Sequence, residues 1–231
     1  MGILKKIALA MSISILCSTL FSSCLNDNEP ETLYPTLGTV QQEEQLIIDS
    51  DSYGRLIPTN PNKFTAADLD EDGQRVMISV LASEIEAPVS EGKIRKVEII
   101  ELYKVTTKDA DRTDKEEEEV QEEFGNDPVQ VTSATISKEH LNVQYRLKGT
   151  DRDTPHRISL VLKTDCQPDE NGLLPVELRH DAQKDNQLHD FWSVTSFRLS
   201  SIPEYQEGAA KGFKIIYNSG ADAKAEWVVK K

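Results

Sequence analysis

Two His-Asp pairs, His180-Asp181 and His189-Asp190, are the first places where chemistry can be sought in this chain. Histidine and carboxylate together build zinc sites, so the enzyme reading they invite is a metal-dependent hydrolase. Such pairs normally project from helices. Here the stretch reads as strand, loop, strand, with His180 at a strand end and residues 181–190 as the loop. Structural roles are therefore expected for both. No Gly-x-Ser-x-Gly, His-Glu-x-x-His or glycine-rich phosphate cradle occurs to support catalysis.

Asp68-x-Asp70-x-Asp72-Gly73 opens like a calcium loop, with oxygens at alternate positions and a glycine for the sharp turn. The remainder departs from that pattern. Position twelve is Ser79 rather than a bidentate glutamate, and residues 76–80 read as a strand rather than an exiting helix. The three aspartates form a weak calcium candidate, and an acidic turn before a strand is the stronger reading. Trp192 and Trp227 are aromatic enough to stack on sugar rings. Trp192 follows the long loop, and Asp190 or Asn186 beside it would supply partners for sugar hydroxyls. Core packing is the competing role for both tryptophans. Cys166 has no neighbouring base in sequence, so an inert thiol is expected. No cofactor is called for.

Cys24 points to a different chemistry, attachment to lipid. Lys5 and Lys6 give a positive start, an apolar run follows from Ile7 to Leu20, and Leu20-Phe21-Ser22-Ser23 places small residues before the cysteine. That layout suits a lipoprotein signal peptidase, and the run is too short to span a bilayer as a stable helix. Residues 1–23 read as the signal peptide and 24–32 as a flexible tether. The acidic stretch Asp27-Asn28-Glu29-Pro30-Glu31 favours the outer face of a Gram-negative outer membrane over the periplasmic one. The remaining cysteines, Cys17 and Cys166, then leave no internal disulfide in the mature chain.

Charge narrows the partners. The full chain of 231 residues carries −14, and without the signal 24 basic side chains face 40 acidic ones, giving −16. Such a chain repels phosphate backbones, so nucleic acid is excluded as a natural partner. The membrane is reached through the lipid on Cys24, and a protein or a glycan remains as the ligand class.

The elements that would position these residues are nearly all strands. Residues 33–108 contain short, often two-faced apolar runs at 37–41, 45–49, 54–58, 74–82 and 93–105, with turn chemistry at Tyr53-Gly54 and Asp72-Gly73. That density suits a small OB-like barrel. Residues 109–127, with Glu116-Glu117-Glu118-Glu119, read as a solvated acidic linker with at most a transient helix at 115–124. Residues 128–231 alternate cleanly. Leu141, Val143, Tyr145 and Leu147 oppose Asn142, Gln144, Arg146 and Lys148, and Ile158, Leu160, Leu162 and Phe213, Ile215, Tyr217 repeat the scheme. One apolar face per strand predicts a β-sandwich of immunoglobulin-like kind. The fold class expected is all-β: barrel, acidic linker, sandwich.

The lipobox, Asp72-Gly73-Gln74-Arg75-Val76, Leu141-Asn142-Val143-Gln144-Tyr145-Arg146, Glu177-Leu178-Arg179-His180-Asp181, Val194-Thr195-Ser196-Phe197-Arg198-Leu199 and Gly212-Phe213-Lys214-Ile215-Ile216-Tyr217 follow one another in the order of a known family. In these residues the chain resembles the NigD-like lipoproteins. The resemblance implies an OB-like domain followed by a β-sandwich on a Gram-negative envelope lipoprotein, with a suggested role in bacteriocin immunity. It carries no catalytic or binding residues across. The expected function is a non-enzymatic binding module anchored at the envelope. Self-immunity to a bacteriocin, surface glycan binding and metal-dependent hydrolysis are the alternatives.

Overall fold

The computed structural model describes residues 31–86, 94–151, 153–221 and 223–231. The expected signal peptide at 1–23, Cys24 and most of the expected tether at 24–32 lie outside the described residues. The N-terminal half is a six-stranded sheet built from β1 (Leu33–Gln42), β2 (Leu46–Ser50), β3 (Gly54–Pro58), β4 (Arg75–Leu81), β5 (Arg95–Val97) and β6 (Glu101–Lys104), in the order β5-β3-β2-β1-β4-β6. Short helices α1 (Asn62–Ala66) and α2 (Ala82–Glu86) flank β4.

The expected single strand at 93–105 is broken into β5 and β6, which lie on opposite edges of this sheet. Only residues 98–100 join them, a reach of at most about 14 Å. The sheet must therefore curl until its edges nearly meet, which makes it the barrel that the two-faced strands required. Val40, Ile48, Leu56, Phe64, Val76, Ile78 and Val97 fill its interior, each fully buried.

The sandwich begins earlier than position 128. β7 (Thr106–Lys108) and β8 (Asp111–Thr113) are edge strands of its two sheets, and the chain crosses from one sheet to the other at Asp109 and Ala110. Its other strands are β9 (Gln130–Ile136), β10 (His140–Gly149), β11 (Arg157–Lys163), β12 (Leu173–Asp181), β13 (His189–Arg198), β14 (Gly212–Asn218) and β15 (Lys224–Lys230). One sheet runs β7-β13-β10-β9 and the other β15-β14-β12-β11-β8. The alternation seen in sequence places Leu141, Val143, Tyr145, Ile158, Leu160, Leu162, Phe213, Ile215 and Tyr217 in one core between them.

The acidic stretch is not a solvated linker. Residues 117–124 form α3 (Glu117–Phe124), whose Val120 and Phe124 lie one turn apart and are buried against Val161 of β11. The glutamates occupy the outer face and first turn, where carboxylates complement the helix dipole. Glu116 and Glu119 form a reciprocal capping box. Arg179 of β12 donates from Nη2 to both oxygens of Glu117, each at 3.0 Å. Gly125 ends the helix at φ +83°, where a Cβ would run into the His180 carbonyl and Asp181.

The polar face of β10 is likewise only half solvated, because the barrel packs on it. Arg75, 1% exposed, reaches from β4 to Ser196 Oγ (3.3 Å) and Asn142 Oδ1 (3.0 Å) on the sandwich. It also donates to Thr39 Oγ1 (3.2 Å) and pairs with the Asp51 carboxylate. Asn142 Nδ2 donates to the same carboxylate at 2.9 Å, and Ser196 Oγ donates to Asn142 Oδ1 at 2.7 Å. Pairing of this completeness is what allows a charge to be buried. Beside it Leu37 and Met77 from the barrel meet Val105 and Val194. Barrel and sandwich thus belong to one unit, Thr32 to Lys231.

Candidate functional site

β13 is paired with β10 along its whole length, from Gly149↔His189 to His140↔Arg198. Trp192 lies opposite Arg146 on the outer face, just beyond the patch covered by the barrel. At 41% exposed it is a surface residue rather than part of the core. Trp227, by contrast, is partly buried against the sandwich core.

Trp192 forms one wall of a cleft of about 340 Å³. Phe191, Leu147 and Pro155 supply further apolar surface, and Thr106 closes the end nearest β7. The opposite wall is the β10–β11 turn with Asp151, Asp153, Thr154 and His156. Asp151 shapes that turn, its Oδ1 accepting from the Asp153 amide (2.9 Å), the Thr154 amide (2.8 Å) and the Thr154 hydroxyl (3.0 Å). Those bonds hold the Asp151 carboxyl below its ordinary range. The Asp153 carboxylate has no hydrogen bond or ion pair among the described residues and stays available to a ligand.

Behind the turn lies a chain of polar groups that spacing along the sequence does not announce. Asp185 accepts from the Thr150 amide at 2.7 Å and from the Thr150 hydroxyl, which together with His156 depress its pKa. His156 Nε2 lies 3.1 Å from Asp185 Oδ2, and His156 Nδ1 lies 2.8 Å from His180 Nε2. His180 Nδ1 donates to the Pro128 carbonyl at 2.9 Å. Since that carbonyl can only accept, His180 Nε2 is left to accept from His156 Nδ1–H, and the other ring nitrogen of His156 lies against the Asp185 carboxylate. Burial lowers the His180 pKa. Every ring nitrogen in this chain is engaged, so none offers a free lone pair to the cleft. The arrangement braces the β10–β11 turn against the β12–β13 loop.

Asp190 and Trp192 stand two apart on β13 and share its outer face. Asp190 lies in a different, open groove with Arg146, Lys148 and Gln187, and Asn186 is exposed on the β12–β13 loop. The acids of the Trp192 cleft are Asp151 and Asp153 instead. His189 is exposed at the start of β13, whereas His180 is buried. Asp70 accepts from the Thr65 hydroxyl (2.8 Å) and Asp72 from the Gln42 amide (2.9 Å), while Asp68 is an exposed residue at φ +57°. Of the three carboxylates, that of Asp72 fastens the turn to β1. Among the described residues no group of three or more His, Cys, Asp or Glu is placed to hold a metal. Cys166 is buried, with its Sγ 3.2 Å from the Pro175 carbonyl, and burial raises its pKa.

The fold and the sequence both have relatives. The family described as NigD-like C-terminal beta sandwich domain matches residues 112–230. No curated protein matches the chain. Among solved structures, a proposed toxin-related protein from Parabacteroides distasonis superposes with a TM-score of 0.64 at 20% identity, covering 87% of this chain and 93% of its own. A NigD-like immunity protein from Bacteroides caccae gives 0.57 at 18%, covering 86% and 92%. A proposed lipoprotein from Bacteroides fragilis gives 0.56 at 14%, covering 86% and 97%. At these identities the structural likeness is one of fold.

Proposed function

Because the chain belongs to the NigD-like family, we propose that it is a lipid-anchored envelope protein that works by holding a partner and catalyses no reaction. The anchor in this reading is Cys24. Its support is the positive start, the apolar run and the small residues before the cysteine, together with a fold shared with a proposed lipoprotein. Two acyl chains are enough for stable attachment. The acidic residues that follow favour the outer membrane and its outer face.

The observation that carries the binding reading is Trp192. A large aromatic side chain 41% exposed at the rim of a 340 Å³ cleft has more contact to gain from a partner than from solvent. The neighbouring histidines favour binding over acid–base chemistry, because their ring nitrogens are already engaged. Soluble protein immobilised on a column should retain material from a detergent extract of the envelope that a Trp192→Ala column lets pass. Equal retention by both columns would contradict the reading. For the anchor, cells fed radiolabelled palmitate should label the wild-type chain and leave Cys24→Ala unlabelled.

A second reading, self-immunity, is favoured by the fold shared with a NigD-like immunity protein. Deleting the gene should then raise sensitivity to a toxin made by the cell or its neighbours. An unchanged dose response would count against it.

A further inference from the structure

We infer that the free edge of β13 at residues 189–194, with the cleft beside it, takes an added strand: an extended peptide segment of another protein in which basic side chains alternate with apolar ones. This rests on the binding reading above and names the class of partner. β13 is ten residues long and fully paired with β10 on one side. On its other side β7 covers only Thr195–Phe197. Among the described residues no strand pairs with residues 189–194 on that side. Alternate backbone N–H and C=O groups of 189–194 therefore face outward without a ladder partner.

Proteins usually guard such an edge with lysine, proline or a bulge. The six side chains here are His189, Asp190, Phe191, Trp192, Ser193 and Val194, with no lysine or proline among them. The space beside the edge is also shaped for a strand. Thr106, the first residue of β7, lines the end of the cleft, so an incoming segment would continue the line β7 begins, at the usual spacing of about 4.8 Å from β13. The chain leading to Thr106 does not fill that place, because Val105 packs onto Leu37 and Val194. Strand addition draws affinity from main-chain hydrogen bonds and selectivity from pockets for alternate side chains. Trp192, Phe191 and Leu147 offer such a pocket to an apolar side chain.

Charge selects the remainder of the segment. Asp151 and Asp153 line the same cleft, and the Asp153 carboxylate makes no ion pair among the described residues. In a chain of net charge −14, an approaching lysine or arginine is attracted both at long range and at the cleft.

The test is calorimetric titration of the soluble protein with synthetic octapeptides of alternating Lys and Val, and of alternating Glu and Val. Two further Lys-Val peptides are N-methylated on one or the other set of alternate residues. The Lys-Val peptide should bind at least tenfold more tightly than the Glu-Val peptide. One N-methylated version should lose tenfold or more while the other stays within about threefold, because only one edge of an added strand faces β13. Trp192→Ala should weaken binding tenfold and Asp153→Asn two- to threefold, with the unfolding temperature of both variants unchanged. Equal affinity of both N-methylated peptides and their parent would reduce the effect to charge and overturn the proposal. Absence of binding by every peptide would also overturn it. If the protein is then retained on a polysaccharide gel through Trp192, the occupant is a glycan and the binding reading stands; indifference of Trp192→Ala in both assays removes both readings.

Discussion

Arg75 is the residue on which the joint between barrel and sandwich depends. Its guanidinium is buried among Asp51, Thr39, Asn142 and Ser196. Removing it takes the paired cation from the Asp51 carboxylate and a donor from the Asn142 amide oxygen. Arg75→Ala should lower stability by about 3–5 kcal/mol, the usual cost of breaking a buried pair, as read by urea unfolding. Arg75→Lys should recover little, since one ammonium cannot span the same four partners. His140 lies close to this group and gives the fold a pH dependence. Burial, with the Arg75 charge behind it, pushes its imidazole down from 6.5 to about 4. The unfolded chain therefore takes up this proton first, so stability is full above about pH 6.5 and is lost as pH falls towards 4. His180, also lowered by burial, adds to the same loss. Measured from pH 8 to pH 4, unfolding free energy should fall in this window, and His140→Asn should flatten the slope. A flat wild-type profile would contradict the assignment.

Among the elements, α3 shows how far charge density can mislead. Six glutamates in its eight residues and cap read as a solvated run, yet Val120 and Phe124 stand four apart and close over Val161. Phe124→Ala should cost about 3 kcal/mol, far more than a linker substitution would, and a change within 0.5 kcal/mol would restore the linker. The strands were more legible. Period-two alternation marked β10, β11 and β14 correctly, because a sheet with one buried face imposes that pattern locally. Two features escaped it. Asn142 and Ser196 sit on the polar face but are buried by the barrel, a contact between distant segments that no local period encodes. The site escaped for the same reason. Trp192 could be singled out as an aromatic after a long loop, but Asp151, Asp153 and His156 reach it from another turn, and Asp185 braces them from a third segment.

At the scale of the whole molecule, the barrel and sandwich are welded by a buried charge network and a small apolar seam. A single unfolding transition should therefore be seen by calorimetry, and Arg75→Ala should split it in two. Such a joint holds the Trp192 cleft at a fixed orientation to the barrel. The most direct test is photo-crosslinking in living cells, with a benzophenone amino acid placed at Trp192 and, in a separate strain, at the comparably exposed Val228 of β15. A discrete heavier adduct on illumination at position 192, absent at 228, is the predicted result. The same adducts from both positions, or none from 192, would contradict the claim that this protein acts by holding a partner in the Trp192 cleft.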